Sequence, residues 1–283
     1  MSSGYRVALL GNGIKPSLSP ALHMEEARRL GLDYEYRTVD LSGRREVDLG
    51  AELRRLEAAG FDAANVTHPF KQAVLGHVAD LSPVVRRLGS ANLVLLGDGR
   101  RTAHNTDVTG FRAALEGFLG DRRSGGRSGG TVLQVGAGGA GLATASALLD
   151  LGFDPVVVHD VVPAAVEAMV DRFSGALRGS GGSLDAWLPR ADGVVHVTPV
   201  GMAEHPGVAF DVDRLGPDTW VAEVVYRPLD TELLRRARAR GLPTLDGGGM
   251  AVGQAVESLR LITGLEPDVD RMHAHFDQLV TEG

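Results

Sequence analysis

Of the 29 basic residues in this chain only Lys15 and Lys71 are lysines; the rest are arginines. Arginine keeps its proton near neutral pH, whereas a lysine can be tuned to release one. Lys71 closes the string Asn65-Val66-Thr67-His68-Pro69-Phe70-Lys71, directly after a strand-like run. It is therefore the first candidate for general acid–base chemistry. A lone lysine on the first turn of a helix is more often a solvated side chain, so its weight depends on its neighbours. Lys15 lies in a loop without comparable company and is expected on the surface.

A second chemistry is written further along. Thr131-Val132-Leu133-Gln134-Val135 leads into Gly136-Ala137-Gly138-Gly139-Ala140-Gly141 and then into Leu142 to Leu149. Strand, G-x-G-x-x-G turn and helix in this order predict a dinucleotide site. Gly136 permits the tight turn, Gly138 the approach of a pyrophosphate, and Gly141 close helix–strand packing. The N–H groups and helix dipole then favour phosphate. A second strand ends at His159-Asp160, 19 residues past Gly141 (160 − 141). Asp160 suits an acceptor for the adenosine ribose hydroxyls; a cap for a helix over 161–170 is its lesser, purely structural use. A 2′-phosphate about 5 Å from this carboxylate would be repelled by several kcal/mol at an effective dielectric near 20. The next arginine, Arg172, is three helical turns away. The expected cofactor is NAD rather than NADP.

Four further strings carry polar groups: Ser17-Leu18-Ser19-Pro20-Ala21-Leu22-His23, the string ending at Lys71, Ala91-Asn92, and His104-Asn105-Thr106-Asp107-Val108-Thr109-Gly110. Singly, each has a structural use. Ser19 before Pro20 makes a good helix N-cap, Thr106 or Asp107 suits another, and Pro69-Phe70 opens a helix.

The elements that must position these groups alternate. Strands are predicted over Tyr5 to Leu10, Tyr34 to Val39, Phe61 to Val66 and Leu93 to Leu96, with helices over Pro20 to Leu30, Ala51 to Ala59 and Phe70 to Val78. A second series has strands at Thr131–Val135, Pro155–His159, Gly193–Val197 and Trp220–Val224. Helices follow from Met250 to Leu261 and from Val269 to Val280. Such alternation implies an α/β fold with parallel pairing. Glycines and serines over 121–130 mark a flexible break between the two series.

Composition narrows the classes. Hydrophobic content of 43% with 23% charged residues is that of a globular protein. The absence of cysteine removes thiolate nucleophiles and cysteine-bound zinc and suits a cytoplasmic enzyme. No apolar run is long enough to span a bilayer, and Met1-Ser2-Ser3-Gly4-Tyr5-Arg6 lacks the apolar segment expected of a signal peptide. A net charge of −7 argues against nucleic acid as a partner. There is no H-E-x-x-H, so no metal is expected, and His273 and His275 are expected to be solvated. A short-chain dehydrogenase would need Y-x-x-x-K, but Gly11 and Thr67 stand four residues before the two lysines.

Taken together and in order, S-x-S-P, N-x-T-x-P-x-K, Asn92, N-T-D-x-x-G and the glycine turn resemble the shikimate/quinate dehydrogenase family. The resemblance continues in Thr198-Pro199-Val200-Gly201-Met202, in Val224-Val225-Tyr226-Arg227-Pro228, and in Gly247-Gly248-Gly249-Met250-Ala251-Val252-Gly253-Gln254, and so covers essentially the whole chain. It implies two domains: a substrate-binding catalytic α/β domain over 1–110, completed by helices over 251–283, and an NAD-binding Rossmann domain over 111–250. The implied reaction is reversible oxidation of the C3 hydroxyl of quinate or shikimate to 3-dehydroquinate or 3-dehydroshikimate.

By matching position, Lys71 and Asp107 would be the catalytic pair. Ser17 and Ser19 would hold the carboxylate of a small anionic cyclohexane carboxylate. Thr67, Asn92, Tyr226 and Gln254 would line the pocket, with Asn65 close behind. Gly136, Ala137, Gly138, Gly139 and Ala140 would hold pyrophosphate, and Thr198, Gly247 and Met250 would border the nicotinamide. Monomer or homodimer is the expected assembly.

Three departures separate the chain from the biosynthetic, NADP-linked members. Met24 replaces the asparagine usual after His23, His68 replaces an aliphatic residue, and His159-Asp160 replaces an Asn-Arg pair. They favour the NAD-linked quinate/shikimate branch. The NADP-linked shikimate enzyme and an amino-substituted ring substrate stand as alternatives. A non-catalytic sensor would be expected to lose part of the Lys–Asp pair or the serines, all of which are present. A methylenetetrahydrofolate dehydrogenase leaves S-x-S-P with N-T-D unexplained.

Overall fold

The computed structural model describes residues 4–97, 99–120 and 130–282. It divides into two compact units, one of Met1–Gly110 with Val252–Gly283 and one of Phe111–Ala251. The predicted flexible segment over 121–130 lies outside the described residues except for Gly130.

The first unit is built on a six-stranded sheet. Its strands are β1 (Tyr5–Gly11), β2 (Tyr34–Asp40), β3 (Ala63–Val66), β4 (Asp80–Leu81), β5 (Leu93–Gly97) and β6 (Arg100–His104), in spatial order β2-β1-β3-β5-β6-β4. Strand side chains alternate faces, and the core follows that rule. Ala8, Leu10, Ala64, Val66 and Val94 pack with Leu49, Leu53 and Leu56 of helix α2 (Leu49–Ala58) on one face. Val7, Leu9, Ala63 and Leu93 form the core of the other. Helix α1 (Ser19–Arg29) joins β1 to β2, and α3 (Pro83–Leu88) follows β4.

Two expectations fail here. The sheet is not wholly parallel: β5 runs antiparallel to both β3 and β6. β6 was not predicted, because Arg100, Arg101 and Thr102 lack an apolar run. The stretch Phe70 to Val78 is not an α-helix but a turn and a short 3₁₀ segment over Ala73–His77. The Lys71 carbonyl, which an α-helix would offer to Leu75, instead accepts the Ala91 N–H at 2.8 Å. Leu75 N turns to Gln72 O, three residues back, as 3₁₀ geometry requires.

The second unit carries the fully parallel sheet. Helix α4 (Asp107–Leu119) precedes strands β7 (Val132–Val135), β8 (Val156–His159), β9 (Leu177–Gly179), β10 (Gly193–His196), β11 (Trp220–Glu223) and β12 (Thr244–Leu245). Their order is β12-β11-β10-β7-β8-β9. The chain moves outward from β7 through β8 and β9, then returns to β10 and moves out the other way. The topological switch point therefore lies between β7 and β10, where open α/β sheets bind ligands. Helices α5 (Gly139–Asp150), α6 (Pro163–Arg172) and α7 (Glu232–Ala239) make the connections. Helices α8 (Gly248–Thr263) and α9 (Val269–Glu282) end the chain, and no helix is long and apolar enough to cross a membrane.

Candidate active site

In the first unit the chemistry-bearing strings meet at one edge of the sheet, where β1, β3 and β6 end and β5 begins. Asn12 N bonds to His68 O and Thr67 N to Leu10 O, so the loops after β1 and β3 lie together. Lys71 Nζ stands 2.6 Å from Asp107 Oδ2, with the lysine side chain 18% exposed and the carboxylate 6%. Asp107 opens α4, and its own N–H is capped by Asn105 Oδ1 at 3.1 Å.

Asn92 fixes the other half of the carboxylate. Its Nδ2 donates to Asp107 Oδ1 and to Thr106 Oγ1, both at 2.9 Å, while its Oδ1 accepts Thr106 N–H at 2.8 Å. Backbone bonds from Asn92 N to His104 O and from Val66 N to Asn92 O hold it between strands. Asn105 Nδ2 reaches Ser90 O at 3.0 Å. The pair is thus set by neighbours that are themselves buried and bonded. Burial holds the His104 imidazole below the usual histidine range, against the opposing pull of Glu257.

The other predicted residues fall into two groups. Thr67 and the two serines line the same edge, half-buried. Ser19 is not the helix cap expected of it: α1 begins at Ser19, Leu18 stands in the cap position with no side-chain bond, and Ser19 N–H donates to Ser17 Oγ at 3.3 Å. Asn65 faces inward. Its Oδ1 accepts Tyr36 O–H at 2.9 Å and its Nδ2 donates to Ser258 Oγ at 2.9 Å, so its polar atoms are held by the protein itself. Gln254 belongs to the first unit and Tyr226 to the second, each half-buried.

In the second unit the glycine turn lies at the switch point. Gly136 has φ +119°, and a Cβ there would stand 2.6 Å from Val197 O, so only glycine fits. Gly138 occupies the N-cap of α5 with no capping side chain, leaving the first-turn N–H groups for an anion. Gln134, fully buried in β7, donates to Gly136 O at 2.9 Å and Gly141 O at 3.0 Å, and accepts Thr144 O–H at 2.8 Å. Asp160 accepts Ala137 N–H at 2.7 Å and Val162 N–H at 2.9 Å. Ala137 therefore gives its N–H to Asp160. Gly247 passes against the end of β11, where a Cβ would lie 2.5 Å from Val224 O, and Met250 is buried in the first turn of α8. These groups fit a dinucleotide.

Sequence reasoning passed over His196 and Glu223. They are the last residues of β10 and β11 and stand abreast in the parallel register. Both are buried, with His196 Nδ1 2.8 Å from Glu223 Oε1 and Nε2 2.6 Å from Thr198 Oγ1. The signal was available: the two predicted strands carry His and Glu at the same offset from their starts.

Residues 9–94 match the family model described as the shikimate dehydrogenase substrate binding domain. A shikimate dehydrogenase (NADP(+)) of Streptomyces avermitilis is 50% identical, with 97% of this chain and 96% of that protein aligned. A quinate/shikimate dehydrogenase (NAD(+)) of Corynebacterium efficiens is 44% identical over 95% and 96%. Quinate dehydrogenase from Corynebacterium glutamicum, solved in complex with NAD, superposes with a TM-score of 0.89 at 41% identity, covering 97% of this chain and 99% of that one. With its ordered motifs, its α/β units and relatives of this similarity across nearly its full length, the chain belongs to the shikimate/quinate dehydrogenase family.

Proposed function

We propose that the protein is an NAD-linked dehydrogenase that reversibly oxidises the C3 hydroxyl of quinate, and also of shikimate. The observation that carries this reading is the Lys71–Asp107 pair, 2.6 Å apart, in a chain whose second unit presents a glycine turn beside an acid. NAD, when bound, supplies the hydride acceptor. Lys71 as the neutral amine takes the substrate hydroxyl proton during oxidation, and as the ammonium returns it during reduction. Asp107 keeps Nζ in place and accepts a ring hydroxyl. Ser17 and Ser19 bind the substrate carboxylate, and Thr67, Asn92, Tyr226 and Gln254 supply the donors and acceptors that a polyhydroxylated ring needs.

Asp160 supports NAD over NADP because its carboxylate lies against the turn, where a 2′-phosphate would meet a like charge. The specific observation favouring the NADP reading is the name of the 50% identical Streptomyces avermitilis relative. Steady-state kinetics with quinate and shikimate, each with NAD and with NADP, test both. We expect at least about a tenfold preference for NAD and turnover of quinate. Equal use of NADP would remove the Asp160 argument, and turnover of shikimate alone would remove the quinate assignment.

A further inference from the structure

The buried row Glu223–His196–Thr198 has no part in proton transfer to substrate, yet it ends at the switch-point crevice. Val197, between His196 and Thr198, is the residue whose carbonyl lies against Gly136 of the glycine turn. Glu223 is surrounded by donors: Val225 N–H reaches Oε1 at 3.0 Å and Thr231 O–H reaches Oε2 at 3.3 Å. With one proton and two lone pairs, Thr231 Oγ1 accepts Leu234 N–H and donates to Glu223 at the same time.

An acceptor-only carboxylate requires a proton on His196 Nδ1. The other nitrogen, Nε2, is then a lone pair facing Thr198 Oγ1 at 2.6 Å, and Thr198 must donate to it. Val200 N–H, at 3.2 Å, takes one lone pair of the same hydroxyl. With a proton on Nε2 as well, the Thr198 hydroxyl would have to turn its own proton outward, away from the row. The neutral tautomer satisfies every group in the row. Thr198 is half-buried, so the oxygen keeps one reachable lone pair and no proton to give.

We propose that His196 and Glu223 are positioning residues that fix the Thr198 hydroxyl as a pure acceptor, matched to the carboxamide N–H of a nicotinamide. The assignment deepens the dinucleotide reading above and rests on it. It gives the row a specificity role: a ligand without the nicotinamide ring gains nothing from it.

The test is a calorimetric titration of the wild type and of Thr198→Val, Thr198→Ser and Glu223→Gln with NAD and with ADP-ribose, which lacks nicotinamide. Thr198→Val and Glu223→Gln should weaken NAD about three- to tenfold, the range for one net hydrogen bond. ADP-ribose should stay within about twofold, and Thr198→Ser should bind both like the wild type. Equal weakening of both ligands, or no change in Thr198→Val, overturns the proposal. Because Glu223→Gln opens a buried network and can unfold the unit, nitrogen-15 NMR of the wild-type histidines gives an independent readout. A proton on Nδ1 with bare Nε2 in His196 is expected at pH 7 to 8; a protonated Nε2 overturns it. Wild-type protein that binds neither NAD, NADP nor ADP-ribose would remove the dinucleotide reading itself, and the inference with it.

Discussion

Asn92 and Asp107 are joined at 2.9 Å through the carboxylate oxygen that Lys71 does not use. The carboxylate is therefore held at both ends: one oxygen is fixed by a buried amide, the other faces a half-buried amine. A carboxylate free to rotate would carry the amine with it. Asn92 prevents that, because its own amide is pinned by Thr106 on both atoms.

Lys71→Ala should lower kcat by about 10² or more, the usual range for loss of general acid–base catalysis, while quinate still binds. Stopped-flow turnover and equilibrium binding separate the two effects. Near-normal kcat would show that the proton leaves by another route.

Asn92→Ala should lose both stability and turnover. It strands Thr106 N–H and one Asp107 oxygen in a buried setting, and each unsatisfied group costs about 1–3 kcal/mol. Urea unfolding should show a loss of this order, and kcat should fall further than KM rises. Unchanged kcat in the folded variant would mean that Asp107 needs no such support.

Asp160→Asn should shift cofactor preference. The amide keeps an acceptor for one of the two N–H groups now bound, and it removes the charge that repels a 2′-phosphate. The ratio of kcat/KM with NADP to that with NAD should rise at least about tenfold. A ratio unmoved by the substitution would place the discrimination elsewhere.

His23 should make the first unit acid-sensitive. It is fully buried, its Nδ1 meets Tyr34 O–H at 3.0 Å, its Nε2 has no partner, and burial lowers its pKa from 6.5 to about 3. Between these values the unfolded chain binds a proton that the folded one refuses, so stability falls as pH drops through 6.5 toward 3. From pH 6.5 to 5 the loss from this residue is about 2 kcal/mol. His23→Phe should flatten that limb of a urea-unfolding series; an unchanged slope would assign the acid sensitivity to other groups.

Much of this was legible in the chain. The glycine turn, its flanking strand and Asp160 are local in sequence, so spacing alone arranged them. Lys71 and Asp107, 36 residues apart, were paired through the family resemblance, since no local rule brings β6 beside the turn after β3. The 3₁₀ segment was missed because its cause is tertiary: Ala91 claims the Lys71 carbonyl. The strand β6 was missed although Asp98-Gly99 is a hairpin dipeptide, because the arginines that follow it hid the pattern. Asn65, expected close behind the pocket, commits its polar atoms to Tyr36 and Ser258, partners far away in sequence. His196 and Glu223 needed the register of two strands before their adjacency had meaning.

Gln134 has a consequence for association. By holding the carbonyls of Gly136 and Gly141 from inside the sheet, it freezes a turn of four glycines and two alanines before any ligand arrives. Ordering each such residue costs about 1–2 kcal/mol of backbone freedom, and here that loss occurs during folding. A dinucleotide therefore meets a preorganised surface, and less of its contact energy is consumed in arranging the protein.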